Sequence, residues 1–152
     1  MENKDIVREI IHKLEKGHIN LWHDISKEEM MSYIDKIEWN TLDEVRFDFE
    51  MLKLFSRFKD GHTRYFIKNK TLKNIFVYKD NRLYILEDGK YLRVHKINEK
   101  EIDELYNSFE ELVCYETEEW KNTQIEIAFN SGYFYEMLGM NEPLYAYCEM
   151  EK

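Results

Sequence analysis

Residues 74–97 read NIFVYKDNRLYILEDGKYLRVHKI, and this stretch decides the fold class. Three runs rich in β-branched and aromatic residues, Asn74–Lys79, Arg82–Leu86 and Tyr91–Ile97, are separated by Asp80-Asn81 and Asp88-Gly89. Both pairs tolerate positive φ, which a two-residue hairpin turn demands. The stretch predicts a β-meander, with Thr63–Lys68 as a further strand ahead of it.

Working outward, both flanks switch to a helical period. Ile6, Val7, Ile10, Ile11 and Leu14 recur at helical spacing, and Gly17 stops that helix. Ser26 with Glu29 reads as a capping box for a second helix, whose buried stripe is Met30, Ile34 and Ile37. Thr41 with Glu44 reads as another, opening a helix lined by Val45, Phe49, Leu52, Phe55 and Phe58 and closed by Asp60-Gly61. Past the meander, Ile102, Leu105, Tyr106, Phe109, Leu112 and Val113 share one face of a helix from about Lys100. Thr117 caps the next, with Glu118 and Glu119 in its first turn. A short helix at Tyr133–Leu138 stops at Gly139, and Pro143 precedes a last strand, Leu144–Glu149. The expected architecture is α+β: a three-helix unit over residues 1–61, then a β-meander with packed helices over 62–152, in one continuous globule.

Composition narrows the function. The 152 residues are 43% hydrophobic and 15% aromatic, enough for a sizeable core. The 22 Lys+Arg against 31 Asp+Glu leave a net charge of −9, which argues against a nucleic-acid partner and suits a basic protein surface or plain solubility. Cys114 and Cys148 have neither zinc-ligand spacing nor the count of a disulfide framework. No apolar leader follows Met1 and no run could span a bilayer, so a cytoplasmic location is expected. With five Gly there is no phosphate loop, and no G-x-S-x-G elbow occurs. His12, His18, His23 and His95 match no metal-ligand pattern, and no cofactor is expected.

The segment Phe58-Lys59-Asp60-Gly61-His62-Thr63 resembles the close of the amino-terminal helical domain in tail-specific, or C-terminal-processing, serine peptidases of tricorn type. His18–Trp22 with Ile25–Glu29 looks like the family's upstream helices, and Val94–Asn98 like a strand of its PDZ-like module. Tyr115–Trp120 and Leu138-Gly139-Met140 look like the end of that region, so the resemblance spans most of the chain in order. Glu99 departs from it, standing where the family usually has Gly. The resemblance implies a degenerate PDZ-like module without the domain that carries the nucleophilic Ser. His62 is then catalytic by family analogy alone, since a base needs a nucleophile within reach.

Two readings of function follow. One is a non-catalytic protein- or peptide-binding protein resembling the front half of such a peptidase. The other is a small acidic inhibitor, of the toxin-immunity or phage anti-defence kind, that blocks a basic surface. A third and weaker reading is half of a split enzyme. Candidate binding residues are the acidic Glu116, Glu118 and Glu119 and the aromatic Tyr133, Tyr135 and Tyr145. A solvated helix face and core packing are the plainer explanations of the same residues.

Overall fold

The structure is a computed structural model that describes residues 2–17, 21–59, 65–67, 72, 75–140 and 150–151. Helices α1 (Asn3–Gly17), α2 (Lys27–Asp35) and α3 (Glu44–Ser56) come first, with a 3-10 turn at Trp39–Thr41 before α3. Ser26 caps α2, its hydroxyl accepting from the Glu29 N–H at 3.1 Å. The cap of α3 differs from the sequence expectation: it is Asp43, which accepts from the Arg46 N–H at 2.8 Å. Thr41 is spent on the preceding turn, donating its hydroxyl to the Glu38 carbonyl at 2.8 Å. Trp39 anchors that turn in the core, with its indole N–H on the Ile34 carbonyl at 2.9 Å.

Strands β1 (Phe76–Lys79), β2 (Arg82–Glu87) and β3 (Lys90–Val94) form the expected antiparallel meander, and β6 (Met150–Glu151) joins it in the order β1-β2-β3-β6. The hairpin residues Asp80, Asn81, Asp88 and Gly89 all take positive φ, as their chemistry allows. The third run breaks after Val94. Lys96–Ile97 (β4) leaves the sheet to pair with Lys100–Glu101 (β5), so a strand occupies the expected start of the next helix. Helices α4 (Ile102–Glu110), α5 (Glu118–Phe129) and α6 (Gly132–Met137) follow, and Gly139 closes α6 at φ 80°. Residues 65–67 form no strand; the rest of Thr63–Lys68, the Asp60-Gly61-His62 junction and Leu144–Glu149 lie outside the described residues.

Phe76, Tyr78, Leu83, Ile85 and Val94 point to one side of the sheet and pack on Leu105 and Phe109 of α4, Ile125 and Phe129 of α5, and Tyr135 of α6. A second cluster joins Val7 and Ile11 of α1, Met30 and Ile34 of α2, Trp39, and Met51, Leu54 and Phe55 of α3. Helix α3 serves both, because its Leu52 belongs to the sheet-side core.

Strand β1 is an edge of the sheet, yet α5 closes it. The Asn130 carboxamide accepts from the Phe76 N–H at 2.7 Å and donates to the Phe76 carbonyl at 2.8 Å, as a neighbouring strand would. The same carboxamide caps α5 by donating to the Glu126 carbonyl at 2.9 Å. The Glu126 side chain accepts from the Tyr78 N–H at 3.0 Å. The opposite edge carries β6 along Arg93 and Val94.

Asn130→Ala removes three hydrogen bonds and leaves backbone groups of an edge strand unpaired. Such a loss should cost roughly 2 kcal/mol and promote edge-to-edge association. Urea denaturation and light scattering read the two effects; a variant with wild-type stability would show that the clasp contributes nothing. In the β4–β5 turn, Asn98 and Glu99 have φ of 51° and 68°. Glu99→Gly relieves that backbone and should stabilise by about 0.5–1 kcal/mol, seen as a higher urea midpoint.

Candidate functional site

Helix α5 has two faces. Thr117 caps it, accepting from the Trp120 N–H at 3.3 Å, and Glu118 and Glu119 complement the helix dipole in its first turn. Lys121, Ile125, Ala128 and Phe129 point inward. Trp120, Gln124 and Ile127, at spacings of four and three, form the outward stripe. Trp120 is 55% exposed and Ile127 53%.

Beside this stripe runs an apolar groove of about 230 Å³. Leu52, Leu112, Val113 and Phe134 supply its apolar lining, with Cys114 beside them; Gln124 and Ile127 of α5 form one rim, and Tyr65, Phe66 and Ile67 also line it. Phe66 is 88% exposed, the extreme for a large hydrophobic side chain among the described residues. Phe66 and Ile127 thus stand exposed at the groove, and Trp120 stands exposed two turns earlier on the same outward stripe of α5. Clusters of this kind on a small protein mark interaction sites.

The three acidic candidates lie at the amino-terminal end of the same helix, and all are exposed. Glu118 is partly neutralised by the Lys121 ammonium, 2.9 Å away, which also meets Glu110 at 3.1 Å. Burial opposes the charge on Lys121, but hydrogen bonds to Glu118, Glu110 and Tyr106 outweigh it and hold its pKa above the ordinary lysine value.

Of the three aromatic candidates, the structure describes Tyr133 and Tyr135 and gives both the plainer role of core packing. Tyr133 and Tyr135 are buried in the core, so neither is available to a partner as an anchor. Tyr135 donates its hydroxyl to the Phe129 carbonyl at 2.8 Å. Tyr133 donates to the buried Asp48 of α3, and Tyr65 donates to the other carboxylate oxygen at 2.7 Å. Burial first, and the Asp48 carboxylate second, push both phenols well above the usual tyrosine range. Tyr145 and His62 lie outside the described residues. The anchors that sequence reasoning missed are Trp120, Ile127 and Phe66. A helical wheel of residues 118–129 carries the signal for the first two, since an inward stripe of 121, 125, 128 and 129 leaves 120 and 127 outside.

A larger cleft of about 600 Å³ lies between the end of α3 and α4. Lys53, Arg57 and Lys59 line it together with Asp24, Glu29, Glu110 and Glu111, and Ile25 is its one aliphatic side chain. Its charges of both signs offset one another, so it lacks the apolar anchoring of the α5 groove. Among the described residues no three His, Cys, Asp or Glu side chains are grouped to hold a metal ion. No described helix is long and apolar enough to cross a membrane.

Comparison with protein-family models, with curated proteins and with solved structures gives no match.

Tyr133→Phe leaves one oxygen of a buried carboxylate without its donor and should cost about 1–3 kcal/mol in chemical denaturation. The raised phenols also set an alkaline limit. Their folded pKa values exceed the unfolded value of about 10, so the stability they contribute is present below that pH and is lost as pH rises through the folded values. Tyr78, pushed up to about 12 chiefly by burial, adds to the same fall. The denaturation midpoint should decline from roughly pH 10 upward. Tyrosines that all ionise at the ordinary pH in an ultraviolet titration would contradict this.

Proposed function

We propose that the chain is a non-catalytic binding protein and that the outer face of α5 with its groove receives a protein partner with a basic, apolar contact surface. The observation that carries this is the pair Phe66 and Ile127 exposed at one groove, with Trp120 exposed along the same stripe of α5 and Glu116, Glu118 and Glu119 at the amino-terminal end of that helix. Exposed aromatic side chains beside a groove are the usual anchors of an interface. A negative rim accelerates encounter with a positive partner and selects against a negative one.

The sheet edges argue for this face over strand addition, the mode of PDZ-like modules. One edge is closed by Asn130 and Glu126, and β6 takes up Arg93 and Val94 at the end of the other. The likeness to the front half of tail-specific peptidases supports peptide or protein capture without catalysis. The acidic rim supports the inhibitor reading equally well; the two differ in what the partner loses on binding, not in the surface used.

Capture on immobilised wild-type protein, with Trp120→Ala as the matched control, identifies the specific partner. Interface anchors of this type are worth 2 kcal/mol or more, so Trp120→Ala should weaken the complex by roughly 30-fold, through faster dissociation, at unchanged melting temperature. Reversing Glu116, Glu118 and Glu119 to Lys should instead slow association and flatten its salt dependence. A partner bound equally well by both variants would place the interface elsewhere.

A further inference from the structure

The sheet has a second face, and it differs in character from α5. The strand alternation that sends Phe76, Tyr78, Leu83, Ile85 and Val94 into the core sends Val77, Lys79, Arg82, Tyr84, Leu86, Tyr91 and Arg93 to the other side. Among the described residues, none of the apolar ones on that side belongs to either core cluster or packs against one. The register arranges them in rows. Ile75 lies beside Leu86, joined by the Leu86 N–H to Ile75 carbonyl bond at 3.1 Å, and Leu86 pairs with Tyr91. Val77, Tyr84 and Arg93 form the next row, and Lys79 and Arg82 the last. One end of the face is therefore apolar, with Ile75 58% and Tyr91 60% exposed, and the other is basic.

The basic end opens into a hollow of about 450 Å³ lined by Arg82, Arg93, His95 and Lys96 and also by Glu101 and Asp103. Glu151 stands across from Arg93 in the register, and Asp80 sits in the β1–β2 turn. Among the described residues neither Lys79 nor Arg82 is within ion-pair distance of a carboxylate. In a chain of net charge −9 the row of Lys79 and Arg82 thus presents two cations at one end of this face.

We propose that the outer sheet face is a second docking surface, taking an extended protein segment that carries apolar side chains followed by carboxylates. The apolar side chains lie on the Ile75–Leu86–Tyr91 row, and the carboxylates meet Lys79 and Arg82 about 13 Å along the strands, the rise of four residues. Arg82 suits a carboxylate because its guanidinium donates two parallel hydrogen bonds. A nucleic acid fits less well. Its affinity comes from many neutralised phosphates, and the field of a strongly acidic protein opposes a polyanion. This inference does not depend on the α5 surface. Together the two would make the chain a connector between a basic and an acidic partner.

The test uses the full chain and two fluorescein-labelled octapeptides, each with four apolar residues followed by four glutamates or by four lysines. By fluorescence anisotropy the glutamate peptide binds, added salt weakens it, and Arg82→Glu and Tyr91→Ala each weaken it by roughly tenfold or more at unchanged melting temperature. Trp120→Ala leaves it unaffected. The proposal is overturned if the glutamate peptide does not bind, or binds Arg82→Glu as it binds wild type. It is also overturned if oligothymidylate of matching length displaces it, which would point to nucleic acid. A mass that grows with concentration and falls to the monomer in Arg82→Glu would point to a second copy as the occupant, and overturns it too. Binding of the lysine peptide alone, lost in Trp120→Ala, removes this proposal and leaves the α5 reading standing.

Discussion

A single carboxamide holds the carboxy-terminal half of this protein in register. Asn130 ends α5 by capping a carbonyl of its last turn, and with the remaining valences it pairs both backbone groups of Phe76, 54 residues earlier. An amide side chain has two donors and one acceptor oxygen, and here every donor and the acceptor are used. The contact fixes where α5 ends and how it lies along β1. The orientation of its inward stripe follows, with Ile125, Ala128 and Phe129 over the sheet.

The outward face of α5 is fixed by the same clasp. Once residues 121, 125, 128 and 129 are turned to the core, Trp120 and Ile127 have no place inside, and Ile127 joins Phe66 in lining the groove. The clasp also occupies the outward backbone groups of Phe76 and the Tyr78 N–H on the β1 edge, which are then closed to pairing with another strand. The Asp48 carboxylate plays a comparable part at the seam between the two core clusters, tying α3 to α6 through Tyr133 and to Tyr65. A buried carboxylate is tolerated because both oxygens accept hydrogen bonds; with one donor removed it would be a liability.

Local chemistry was legible in the sequence, and long-range contact was not. The turns at Asp80-Asn81 and Asp88-Gly89, the caps at Ser26 and Thr117 and the stop at Gly139 each rest on one or two residues whose conformational preferences are strong, and all are found in the structure. The α+β order of a helical unit and then a meander follows from them. The start of α3 was misplaced because two side chains of capping type, Thr41 and Asp43, lie two residues apart, and only the burial of Trp39 decides between them. For Tyr133 and Tyr135 the sequence leaves core and interface both open, since a six-residue helix has too short a period to show a face, and α6 proves buried on nearly every side. No pattern announces that Asn130 will meet Phe76, since neither residue is unusual in its own neighbourhood.

Amide hydrogen exchange tests the central claim directly. If the side chains of α5 stand in for a missing strand, the Phe76 and Tyr78 amides on the β1 edge exchange as slowly as the paired Ile85 amide within the sheet, because opening them requires α5 to leave. Rapid exchange at Phe76 and Tyr78 alongside a protected Ile85 would contradict the account: the sheet edge would be open, and neither the placement of α5 nor the surface it presents would rest on the clasp.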